Sequence, residues 1–141
     1  MNKNLKKVIS ATAALAISAS GVAAFAASYP DVADTASYKQ AVDELSALNI
    51  VNGYEDGTFQ PDKNVTRAEI TKMVVTALGD TVLNSAEAAK GRDTQFTDVP
   101  GTHWAAGYIS VGTSSQAGNF INGYSATEFG PVDNVTFAQA M

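Results

Sequence analysis

The residues best suited to chemistry are Thr66-Arg67-Ala68-Glu69. A planar guanidinium at a helix start suits a carboxylate, which it can meet through two parallel N–H donors. The competing reading is an arginine in an ordinary surface ion pair. Thr66 and Glu69 have the Thr-x-x-Glu form of a capping box, with the hydroxyl on a backbone N–H and the glutamate reaching back to the cap. The pattern returns at Thr136 and Gln139, where glutamine still serves, but Arg67 becomes Phe137. The helix start is kept and the charge is not. Phenylalanine would be a poor replacement for an arginine needed only to form a helix.

Other reactive constellations are missing. His103 is the single histidine and precedes Trp104, where it reads as a surface or capping residue. There is no Gly-x-Ser-x-Gly elbow and no His-Glu-x-x-His pair. No two carboxylates stand out as a glycosidase pair. The glycines near Asp56 lack phosphate-loop and dinucleotide spacing. Glu55-Asp56-Gly57 lacks the alternating carboxylates of a calcium loop. The absence of cysteine rules out a disulfide framework and thiolate zinc. The expectation is a non-enzyme without cofactors. Asn64-Val65-Thr66 and Asn134-Val135-Thr136 match the N-glycosylation triplet, but Asn and Thr are expected there as cap residues.

Duplication organises the elements that carry these residues. Val51-Asn52-Gly53-Tyr54, Phe59 and Thr66 recur as Ile121-Asn122-Gly123-Tyr124, Phe129 and Thr136, all at one constant offset. Tyr29-Pro30-Asp31-Val32 recurs as Phe96-Thr97-Asp98-Val99 at a slightly smaller offset, so the first copy is a little shorter inside than the second. Asp31 and Asp98 read as Asx-type turn acceptors. Asp34-Thr35 offers a helix N-cap, and Tyr38, Ala41, Val42, Leu45 and Leu48 form one apolar stripe. Asn49 stops that helix by tolerating the left-handed conformation, and Asn119 holds the same place in the second copy. Asn52-Gly53 and Asp56-Gly57 predict a small hairpin-like loop closed by Pro61. A second helix follows from Thr66, with Ile70, Met73, Val74, Ala77 and Leu78 buried and Gly79 as C-cap. Residues 80–95 read as a polar linker with room for one helical turn over 85–90. In the second copy, Trp104, Ala105, Tyr108 and Ile109 continue the apolar face of its first helix. Gly107 and Gly112 weaken that helix by propensity. Ending at Met141, the second copy's second helix is too short to stand.

The chain has 141 residues. Residues 1–26 read as a secretory signal: Lys3, Lys6 and Lys7, an apolar run from Val8 to Ala19, then Ala24-Phe25-Ala26. That run is short for a membrane span. Removing it takes three lysines and no acid, leaving 6 basic and 14 acidic residues, a net charge of −8. With a pI near 4.6, no basic footprint for nucleic acid or an anionic membrane exists. The remainder suffices for one modest core.

Together these motifs resemble the S-layer homology (SLH) domain family. The residues that carry the resemblance are Tyr29-Pro30-Asp31-Val32, Val51-Asn52-Gly53-Tyr54, Asp56-Gly57-Thr58-Phe59, Pro61 and Val65-Thr66-Arg67-Ala68-Glu69. In the second copy they are Phe96-Thr97-Asp98-Val99, His103-Trp104-Ala105, Ile121-Asn122-Gly123-Tyr124, Phe129, Pro131 and Val135-Thr136. The resemblance implies an all-α fold of tandem helix–loop–helix repeats, residues 27–79 and an incomplete 96–141, part of a pseudo-threefold bundle. It implies a secreted protein at a bacterial cell wall or S-layer. Its partner would be an anionic, pyruvylated secondary cell-wall polysaccharide linked to peptidoglycan. Carried over by motif, Arg67 meets the anion, helped by Gly53 and Asp31, with Glu69 and Thr66 as supports. Phe137 weakens the second groove, and Asn49 and Asn119 stand where the family usually has glycine. Two alternatives remain: a self-assembling S-layer or envelope protein, and the anchor region of a glycan-active enzyme whose catalytic domain lies beyond Met141.

Overall fold

The computed structural model describes residues 28–115 and 118–136. The signal reading of 1–26 and the short helix expected after Phe137 lie outside them. The described chain is all-α, with helices α1 (Lys39–Ala47), α2 (Arg67–Ala77), α3 (Asp80–Ala89) and α4 (Ala106–Gly112). The hairpin-like turn of the first loop exists as backbone pairing without strands: Tyr54 N–H donates to Thr58 O at 2.8 Å and Gly57 N–H to Tyr54 O at 2.9 Å. Asp56 closes it by accepting from the Thr58 N–H and hydroxyl, at 3.0 and 2.6 Å.

Helix α1 starts later than expected. Tyr38 is its N-cap residue and no side chain caps it, so Asp34-Thr35 precedes the helix instead of starting it. Its end follows expectation, with Asn49 at φ +56° and Ile50 N–H on Leu45 O at 2.9 Å. Only part of the predicted stripe is covered. Val42 is buried with Tyr29 and Val32 against Phe59, whereas Tyr38, Leu45 and Leu48 are exposed.

Helix α2 begins as the capping box requires. Thr66 accepts from Glu69 N–H, and the Glu69 carboxylate accepts from Thr66 N–H at 2.7 Å. Gly79, at φ +93°, ends this helix and leads straight into α3. The expected polar linker is therefore a ten-residue helix over its first two-thirds. Tertiary burial decides this: Ala86 is fully buried with Val75 and Tyr108, and Val82 and Leu83 pack beside them. A stripe of so few apolar residues is weak in sequence and needs its neighbours. Gly107 lets α4 lie against α3, since a Cβ there would run into the Ala86 carbonyl. The glycine that weakens α4 locally is what permits its packing.

The main core spans both halves. Ala68 of α2 packs with Phe96, Val99, Ala105, Ala106, Ile109 and Phe129. Helices α2, α3 and α4 pack on one another.

Candidate functional site

The two opening aspartates do not make local Asx turns. Asp31 accepts from Phe59 N–H at 2.9 Å and Gln60 N–H at 2.7 Å. Asp98 accepts from Phe129 N–H at 3.0 Å and Gly130 N–H at 2.7 Å. Each ties an opening motif to a loop well downstream in the chain. For Asp31 these bonds, Phe59 foremost, hold the carboxyl below its ordinary range. Burial pushes Asp98 up, but the Gly130 and Phe129 N–H groups outweigh it and the net shift is down. Gly53 sits at φ +66°, where a Cβ would lie 2.5 Å from the Tyr29 ring and 2.7 Å from Thr58 O. Asp31 and Gly53 thus shape the first loop.

Arg67 belongs to the other loop. The capped start of α2 throws its side chain across to residues 122–129, and it is only 6% exposed. Nε donates to Phe129 O at 2.9 Å and Nη2 to Asn122 O at 2.5 Å. The guanidinium lies 4.4 Å from the Tyr124 ring centroid and 4.6 Å from that of Phe129. Among the described residues no carboxylate approaches within 4.0 Å, so its charge has no acidic counterion. Nη1 makes no hydrogen bond among the described residues. No fully buried side-chain nitrogen there is unpartnered, so Nη1 is not completely sealed from solvent.

The sequence-predicted residues are therefore brought together in two groups. Thr66, Arg67 and Glu69 form one helix start, directed at the second loop. Asp31 and Gly53 form the first loop, where a cleft of about 810 Å³ opens. Glu69 and Gly53 line that cleft; Arg67 does not. Lys63, Lys72 and the half-exposed Trp104 also line it. The Asn122, Tyr124 and Phe129 partners of Arg67 went unassigned in the sequence. Their signal was the constant offset between the copies, which marked the loop but not whose arginine it receives.

The family model described as S-layer homology domain matches residues 28–71 and 95–141, more than half of the chain. The chain belongs to the S-layer homology domain family. It is similar to a "Cell surface protein" of Thermoanaerobacter kivui, at 40% identity over 99% of the chain and 18% of the relative. It is similar to a "Surface layer protein" of Brevibacillus choshinensis, at 34% identity over 99% of the chain and 12% of the relative. It is also similar to a "Cellulosome-anchoring protein" of Acetivibrio thermocellus, at 32% identity over 80% of the chain and 24% of the relative. This S-layer homology chain thus spans less than a quarter of each relative's length. No solved structure matches it. The family and these relatives support a secreted protein at the cell wall or S-layer, with an anchoring or structural role for the region they share. Among the described residues no helix is long and apolar enough to cross a membrane.

Proposed function

We propose that this S-layer homology chain anchors a secreted protein to the bacterial wall by binding an anionic, pyruvylated secondary cell-wall polysaccharide. One observation carries the reading. Arg67 is a buried cation with no acidic partner among the described residues, and its Nη1 is neither hydrogen-bonded there nor completely sealed from solvent. Two backbone carbonyls fix its fork in place. A carboxylate arriving at Nη1 would meet a charge that is already oriented and only partly compensated, where charge-assisted bonds are strong. Thr66 and Glu69 hold the helix start that aims the side chain. Asp31 and Gly53 enter as the frame of the first loop, away from the anion. The net charge of −8 after residue 26 makes a local cation of this kind necessary for an acidic polymer.

The test compares cell-wall sacculi that keep the polymer with sacculi stripped of it by mild acid. The chain should sediment with the first and stay in solution with the second. Equal sedimentation with both would exclude the polymer as ligand. The self-assembly alternative makes a different prediction: light scattering that grows with protein concentration when no polymer is present.

A further inference from the structure

Asn122-Gly123 is a dipeptide prone to spontaneous chemistry. The glycine nitrogen can attack the asparagine side-chain carbonyl, because glycine puts no side chain in the way. The same pair occurs at Asn52-Gly53, and both asparagines are exposed. Neither glycine is readily replaced. A Cβ on Gly53 would lie 2.5 Å from the Tyr29 ring, and one on Gly123 would lie 2.4 Å from the Phe96 ring and 2.7 Å from Glu128 O. The fold thus retains two reactive pairs with nearly the same neighbours, Val51 and Tyr54 against Ile121 and Tyr124.

The structure equips only the second pair. Asn119, held at φ +49°, donates from Nδ2 to Asn122 Oδ1 at 3.1 Å. That oxygen takes up negative charge when Cγ is attacked, and a donor already aimed at it lowers the barrier. On the other side, Arg67 Nη2 donates to Asn122 O at 2.5 Å. This carbonyl belongs to the same peptide unit as the Gly123 nitrogen. A cation on it favours loss of the N–H proton, since nearby positive charge stabilises the deprotonated form. Among the described residues Gly123 N–H donates no hydrogen bond that would restrain it. In the first pair, neither oxygen of Asn52 accepts a hydrogen bond among the described residues. Electrophile and nucleophile are both activated at Asn122 and neither is at Asn52.

We propose that Asn122 is a self-modification site, at which Asn119 and Arg67 speed deamidation of the folded chain. The Gly123 nitrogen bonds to Asn122 Cγ, the Cγ–Nδ2 bond breaks, and ammonia leaves with the proton that Gly123 gave up. Water then opens the succinimide ring at either carbonyl, giving aspartate or isoaspartate. Water is the only co-reactant consumed. The product puts a carboxylate on the residue whose carbonyl holds Arg67, a guanidinium with no other acidic partner among the described residues. On the polymer reading, on which this consequence alone rests, the internal anion competes with the wall anion. Anchoring then weakens as the chain ages.

The test incubates the full chain at neutral pH and follows both sites by peptide mass mapping and isoaspartate-specific methylation. Asn122 should convert about tenfold faster than Asn52 in the folded chain, a modest share of what a donor gives in a water-excluded oxyanion site. In urea the two rates should coincide, because only local sequence remains. Asn119→Gly and Asn119→Asp both suit the left-handed backbone and remove the donor, so each should lower the folded-state ratio. Equal folded-state rates, faster conversion of Asn52, or a ratio unmoved by both substitutions overturns the proposal. A second arm compares fresh chain with Asn122→Asp on polymer-bearing sacculi, where the variant should bind about tenfold more weakly. Undiminished binding overturns the competition for Arg67. A fresh chain that stays in solution would end the polymer reading, and the two conversion rates would still decide the site.

Discussion

Arg67 has two jobs that pull in the same direction. Its Nε and Nη2 satisfy carbonyls of the second loop, and its flat face covers Tyr124 and Phe129. Hydrogen bonds from a charged group contribute about 1.5–3 kcal/mol each, and a desolvated cation–π contact can contribute about 2 kcal/mol. Replacing Arg67 by Ala would leave two inward carbonyls unpaired and a gap between the rings. We expect Arg67→Ala to lower unfolding free energy by about 3 kcal/mol in urea, from the bonds alone. A loss below about 0.5 kcal/mol, the level of an ordinary surface substitution, would mean the side chain is not held as described. Thr66→Ala isolates the cap from the charge: about 1 kcal/mol should be lost, with the second-loop contacts retained.

At the scale of elements, glycine and aspartate do more than their local preferences suggest. Ala is the better helix former by about 1 kcal/mol, yet Gly107→Ala places a methyl against the Ala86 backbone. We expect net destabilisation of about 1–3 kcal/mol, the usual cost of overpacking, seen as a lower thermal midpoint. A raised midpoint would show that α3 and α4 do not approach this closely. Asp31 and Asp98 predict an acid limb. Both carboxyls are lowered in the fold, against an unfolded value of about 3.9. Their contribution is complete above that value and is lost as pH falls through the lowered folded values. The thermal midpoint should therefore drop steadily from about pH 4 downward, and Asp98→Asn should flatten that drop. An acid limb unchanged by the substitution would place its origin elsewhere.

Across the whole molecule, the sequence carried the pattern of parts better than their pairing. The capping box, the left-handed Asn49 and the Gly79 stop were legible because each is fixed by a few adjacent residues. Helix α3 was not, because Val82, Leu83 and Ala86 gain their meaning only against Val75 and Tyr108. The coverage of α1 was overestimated for the converse reason: its stripe has the right period, but Tyr38, Leu45 and Leu48 stay exposed. Within the candidate site, the five named residues divide between two loops. Spacing alone could not tell that α2 reaches across to residues 122–129 instead of closing on its own loop. The functional account comes down to the guanidinium fork and the nitrogen it leaves without a hydrogen bond among the described residues. Arg67→Lys keeps the charge and loses the fork, so it separates the two. The decisive measurement is co-sedimentation of wild-type chain and Arg67→Lys with polymer-bearing sacculi, at a temperature where melting curves find both folded. The account predicts at least about tenfold weaker binding by the lysine variant, the effect of one lost charge-assisted bond. Undiminished binding by Arg67→Lys would contradict it.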